Sequence, residues 1–220
     1  MNELTVLQRI AVWILPVIFA ITVHEVAHGW VAKKYGDNTA SLLGRLTLNP
    51  IKHVDLFGTL IIPGLLLWLT DYAFIFGWAK PVPVDARNFK NPRRDMAIVA
   101  LAGPISNVLM AIGWALVARV GVSIHAQTEA IALPLIYTGI AGISINLVLA
   151  LINLLPIPPL DGSRVLTGIL PDYWAWQYNR LERFGFVILL VLLYTKALNL
   201  ILAYPMFIAQ QAFFSIAGLN

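Results

Sequence analysis

Two histidines four positions apart flank a glutamate in His24-Glu25-Val26-Ala27-His28. On a helix, positions four apart share a face, so both imidazoles can reach one metal ion. Glu25 projects beside them and suits a general base acting on a water activated by that metal. The chain holds four His and four Glu in 220 residues. Chance would produce this pattern on the order of 10⁻³ times at that composition. The plainer alternative is two interfacial histidines with an incidental glutamate. That alternative leaves a carboxylate in an apolar helix without a reason, at a cost of about 2.5–3.5 kcal/mol on insertion scales.

Two imidazoles do not complete a catalytic zinc site, which takes three protein ligands and leaves a fourth position for water or substrate. The third ligand must come from another helix at similar depth. His53, His125, Glu129 and Glu182 all fall in connecting segments. Asp161 is the best candidate, in Asn153-Leu-Leu-Pro-Ile-Pro-Pro-Leu-Asp161-Gly162. The three prolines break the helix and leave backbone groups unpaired, which at membrane depth is tolerated only against protein or a watery cavity. A plain helix-end turn residue is the alternative reading of Asp161.

The elements that must position these groups are apolar. Of the 220 residues 59% are hydrophobic and 12% charged, with fifteen Lys plus Arg and eleven Asp plus Glu. Mean hydropathy is +0.78. So few charges cannot cover a soluble domain of this size. A soluble enzyme, a disordered chain and a nucleic-acid binder are therefore poor fits, and a multi-span membrane protein is expected. The net charge of +4 then reflects basic loops, not nucleic acid. Cysteine is absent, so there are no disulfides or thiolate ligands. The N-terminus lacks a basic cluster and a small-residue cleavage site, so the first apolar stretch is expected to be a retained span.

Five apolar stretches are visible, over residues 6–31, 56–78, 96–120, 130–155 and 184–204, with an apolar tail to Leu219. The expected fold is an all-α polytopic membrane protein in one domain, 1–220. Three transmembrane helices form its core around the zinc site, with 6–31 as metal helix and 96–120 and 130–155 as core helices. Residues 40–90 form a re-entrant region with short β-strands, 156–165 the Asp-Gly loop, and 183–218 one or two C-terminal helices. Alternation predicts a strand over Ser41–Leu48. Pro81 and Pro83 predict an extended segment over Gly77–Val84. Gly103-Pro104-x-x-Asn107 is expected chiefly to pack helices, with Asn107 hydrogen-bonding across them.

Three motifs together resemble those of the site-2 proteases, zinc metalloproteases of peptidase family M50 that cut peptide bonds within membranes. They are His24-Glu25-x-x-His28, Gly103-Pro104-Ile-Ser-Asn107 and Asn153-x-x-Pro156-x-Pro158-x-Leu160-Asp161-Gly162, in the family's order. The resemblance implies one zinc ion per chain on His24, His28 and Asp161, with Glu25 as general base. It implies that Asn153 holds substrate or stabilises the oxyanion. The implied partners are the lipid bilayer and a membrane-protein substrate with a transmembrane helix. The chain resembles a minimal member, with no regulatory domain in view.

The metal site tests the span count. If all four first stretches crossed, His28 and Asp161 would lie at opposite surfaces. Pro63-Gly64 makes residues 56–78 the expected re-entrant element. Twelve of the fifteen basic residues then lie on one side, which positive-inside makes cytoplasmic. The expected location is a prokaryotic cytoplasmic membrane, with zinc toward the cytoplasmic leaflet. A substrate helix must unwind before cleavage, and the 44–48 or 77–84 strand could accept it as an added strand or simply cap the re-entrant segment. The rival outside this class is a metal transporter or channel using the His pair as a transport site. Paired broken helices in two related halves would mark it, and only one broken segment is visible. A prenyl-protein-processing protease would need a downstream Glu ligand, and Glu129 and Glu182 lack that context. A non-catalytic scaffold would have no need of Glu25.

Overall fold

The computed structural model describes residues 4–69 and 77–219. All regular structure among them is helical. The helices are α1 (Val6–Lys34), α2 (Thr39–Leu42), α3 (Ile62–Leu69), α4 (Pro92–Ile124), α5 (Glu129–Asn153), α6 (Asp161–Ile169), α7 (Asp172–Asn179), α8 (Gly185–Tyr194) and α9 (Ala197–Ala217). Four of them, α1, α4, α5 and α9, are long and apolar enough to cross a membrane. The protein is a multi-pass integral membrane protein.

Local sequence explains the ends of these helices. Thr5 and Gln8 form a reciprocal capping box at the start of α1, and Lys33 and Lys34 face the negative end of its dipole. Pro92 opens α4, where its missing N–H costs nothing. Lipid supplies no hydrophobic force between helices, so close packing must hold them. Small residues permit it: a Cβ on Gly139 would lie 2.6 Å from Ala118 Cβ, and one on Gly121 2.8 Å from Ile136 Cγ1. Ala111, Ala115 and Ala118 of α4, Ile143 and Leu147 of α5, and Ala217 of α9 bury together.

The pairings set direction. His28 of α1 meets Val99 of α4, while Ala20 meets Asn107, so the two helices are antiparallel. Asn107 meets Asn146 and Ala118 abuts Gly139, so α4 and α5 are antiparallel too. The end of α1, the start of α4 and the end of α5 therefore share one end of the bundle. Arg93 ties α6 and α7 to that end through the carbonyls of Thr167 and Leu170 and the carboxylate of Asp172.

One expectation needs correction. The strand over Ser41–Leu48 does not form. Asp37 accepts hydrogen bonds from the Thr39 N–H and hydroxyl, which starts the single turn of α2. Gly44, at φ +63°, then turns the chain before any ladder can begin. Gly77–Val84 forms no strand either. Of the one or two helices expected over 183–218, two form: the apolar stretch 184–204 breaks between α8 and α9 at Lys196, which adopts φ +58°, and α9 takes in the apolar tail.

Residues 56–78 lie partly outside the described residues, at 70–76. A π-helical stretch, Leu56–Ile61, runs into α3. The Trp78 N–H donates to the Gly58 carbonyl at 2.9 Å, and the Thr59 hydroxyl to the Trp78 carbonyl. The chain thus returns at Trp78 to the place it left at Gly58.

Candidate metal centre

The C-terminal half of α1 presents His24 and His28 toward α4, one turn apart and both buried. Their Nε2 atoms lie 3.1 Å from each other. Asp161 Oδ2, at the first turn of α6, lies 3.2 Å from His24 Nε2 and 3.3 Å from His28 Nε2. The break after α5 folds α6 back to deliver that carboxylate. Gly162 lets it approach, because a Cβ there would lie 2.5 Å from the Leu155 carbonyl oxygen. Gly103 of α4 does the same on the facing side: its Cβ would lie 2.6 Å from His24 Nε2 and closer still to His28 Nε2.

The remaining ring nitrogens decide which atoms are free for a metal. His28 Nδ1 donates to the Val99 carbonyl at 2.8 Å. His24 Nδ1 lies 2.6 Å from Asn107 Oδ1. The orientation of Asn107 follows from its other contacts. Its Nδ2 donates to the Ala20 carbonyl and to Asn146 Oδ1, and Asn146 in turn donates to the Gly142 carbonyl. Asn107 can therefore offer His24 only an acceptor, so His24 carries its proton on Nδ1. In the neutral rings both Nε2 atoms are then bare lone pairs turned toward each other and toward a carboxylate.

That arrangement fits a metal ion. Two neutral imidazole lone pairs at 3.1 Å repel unless a cation lies between them. Asp161 Oδ2 is buried and has no hydrogen-bond partner. The three ligand atoms form a triangle with sides of 3.1–3.3 Å. Ligands about 2.0–2.1 Å from a tetrahedral zinc lie about 3.3–3.4 Å apart. His24, His28 and Asp161 form the one such metal-ligand cluster among the described residues.

Glu25 is half-buried beside the triangle, and its Oε2 accepts from the Val82 N–H at 2.7 Å. Asn153, the last residue of α5, donates its amide to its own helix at the Leu149 carbonyl, 2.9 Å away. It is not among the hydrogen-bond partners of the His–Asp cluster. Sequence reasoning assigned Asn107 to packing and passed over Asn146. The available signal was an amide inside each of two apolar runs, where a polar group requires a partner.

Membrane-spanning helices that bury two imidazoles and a carboxylate, with a glutamate alongside, define a membrane-embedded metallohydrolase. The sequence model of peptidase family M50 matches residues 12–131 and 119–195. The chain belongs to peptidase family M50, the site-2 protease family, and is a zinc metalloprotease. It is 43% identical over 188 residues to YwhC of Bacillus subtilis, provisionally named a zinc metalloprotease, covering 83% of this chain and 80% of that protein. It is 32% identical over 197 residues to Rip2 of Mycolicibacterium smegmatis, which carries the same provisional name, covering 88% and 71%. A third relative so named, MJ0611 of Methanocaldococcus jannaschii, is 32% identical over 157 residues, covering 69% and 66%. No solved structure matches the chain.

Proposed function

We propose that the protein is an intramembrane endopeptidase that hydrolyses peptide bonds within or next to transmembrane segments of other membrane proteins. The observation that carries this is the triangle of bare Nε2 and Oδ2 atoms with Glu25 beside it, inside an apolar bundle. His24, His28 and Asp161 hold one zinc ion. When bound, zinc polarises the scissile carbonyl and lowers the pKa of water toward about 7.

The chain's own groups supply the rest. Asn107 and the Val99 carbonyl keep both protons on Nδ1 and both Nε2 atoms available, as outer partners of metal-binding histidines do. Glu25 takes the proton of the attacking water and returns it to the leaving amine. Asn153 lies seven residues beyond Asn146, two helical turns on and on the same face of α5. By releasing the Leu149 carbonyl, its amide can donate to the substrate backbone or the oxyanion.

The return of the chain at Trp78 supports a re-entrant excursion over 56–78, with zinc toward the basic, cytoplasmic side of a prokaryotic membrane. An added substrate strand finds little on 77–84. The N–H groups of Trp78, Lys80 and Val82 are taken by Gly58, His53 and Glu25. Pro81 and Pro83 offer no donor on the other edge. Capping is the better role for this segment.

The test is Glu25→Gln beside the wild type, with bound zinc measured and cleavage followed on a fluorogenic single-span reporter in micelles. Zinc retained and cleavage reduced at least about 100-fold is expected. Equal cleavage by the variant removes Glu25 as base. Metal flux in vesicles without proteolysis would establish the transporter instead.

A further inference from the structure

The segment that crosses beside Glu25 has an uneven supply of hydrogen-bond donors. Pro81 and Pro83 lack an N–H, so Val82 provides the only one in Pro81-Val82-Pro83. That single donor points at Glu25 Oε2, 2.7 Å away. The side chain of Val82 is buried, and α1 has a notch for it. A Cβ on Gly29 would lie 2.8 Å from Val82 Cγ1 and 3.1 Å from Leu46 Cδ1. Gly29 stands four residues beyond Glu25, so notch and carboxylate occupy one face of α1. His24 and His28 occupy another, toward α4.

The strap is fastened on both sides of Val82. Before it, the Lys80 N–H donates to the His53 carbonyl and Arg45 Nη2 to the carbonyls of Lys80 and Pro81. After it, the Asp85 N–H and Asn88 Nδ2 donate to the buried carboxylate of Asp37, which follows the end of α1. A backbone held at 80–81 and at 85–88 leaves Val82 little freedom to move.

A glutamate on a helix has three rotatable side-chain bonds, and the last turns over a broad range. Nothing in the His–Asp triangle fixes it. We infer that the Val82 backbone N–H is a positioning group for Glu25. It holds Oε2 and turns Oε1 toward the position from which the water proton is taken. The two prolines contribute by rigidity and by leaving one donor, and Gly29 by admitting the strap. This rests on the reading of Glu25 as general base.

The test compares Val82→Pro, Val82→Ala, Gly29→Ala and Glu25→Gln in the full chain, with the same reporter. Bound zinc and thermal stability are recorded for each. Val82→Pro removes the N–H. Val82→Ala keeps the N–H. Gly29→Ala displaces the strap while improving local helix propensity. Val82→Pro and Gly29→Ala are expected to lower kcat at least about 10-fold with KM changed less than about 2-fold and zinc retained, a part of what general-base catalysis contributes. Val82→Ala is expected to stay within about 3-fold of the wild-type kcat, as the conservative variant should. If Val82→Pro does not fold, Gly29→Ala decides. Wild-type kcat in Val82→Pro or in Gly29→Ala, or a loss confined to KM, overturns the positioning role while a dead Glu25→Gln leaves the function standing. Full cleavage by Glu25→Gln overturns the function itself.

Discussion

At the scale of single residues, the site depends on what is missing as much as on what is present. Gly103 brings no side chain to the point where two imidazoles converge. Gly103→Ala is expected to reduce zinc affinity at least about 10-fold, because the rings cannot yield without breaking their Nδ1 contacts. Competition against a chelator measures this directly, and unchanged affinity would show that the rings move aside. Asn107 illustrates a different limit. A hydrogen bond between membrane helices contributes on average about 0.6 kcal/mol, which is little reason to bury an amide for stability alone. Orienting His24 is the better reason. The candidate ligands His24, His28 and Asp161, which the structure brings together, were legible in the sequence because i, i+4 spacing and a proline break have local signatures. The role of Asn107 was not, because it depends on which helix face meets α1. The contributions of the Val99 carbonyl and the Val82 N–H were less visible still, being backbone groups that any residue carries.

At the scale of elements, the segment between α1 and α4 departs most from expectation, and Asp37 explains much of it. Its carboxylate is fully buried and binds Thr39, Asp85 and Asn88 together. The alternation in Ser41–Leu48 suggested a strand only because side-chain pattern does not record a turn started four residues earlier. Burial acts to raise the Asp37 pKa, but the hydrogen bonds from Thr39, the Asp85 N–H and Asn88 outweigh it and hold the group below the ordinary carboxylate value. The folded value is thus below the unfolded one. The stabilisation is fully present above the unfolded value, about 3.9, and is lost as pH falls through the folded value. Asp37→Asn puts an amide donor against the Asp85 N–H. It is expected to lower Tm at pH 7 by about 4 °C. The gap to wild type should close as pH falls below about 4. A pH-independent gap would mean that packing, not the charge, is what Asn disturbs.

At the scale of the whole molecule, the span count decides whether the metal centre can exist. Hydropathy alone gives five apolar stretches and no reason to prefer four crossings, because it measures composition and not path. The His–Asp triangle supplies the constraint: His28 near the end of α1 and Asp161 after α5 lie 3.3 Å apart, so an even number of crossings must separate them. Two of these are α4 and α5. On the proposed re-entrant reading, residues 56–78 enter and leave on one side, in keeping with the contact between Gly58 and Trp78. The chain has no cysteine, so single cysteines can report sidedness without interference. Lys52, Lys90 and Gln127 are all exposed. Lys52→Cys and Lys90→Cys are expected to react together from one side of the membrane, and Gln127→Cys from the other. On the proposed orientation, with the basic side cytoplasmic, an impermeant thiol reagent in intact cells should label only Gln127→Cys. Labelling of all three after permeabilisation confirms that each thiol is accessible. Opposite sidedness of positions 52 and 90 would mean that 56–78 crosses, and would separate His28 from Asp161 by the thickness of the bilayer. The same sidedness with both labelled from outside would leave the metal centre intact and reverse only its orientation.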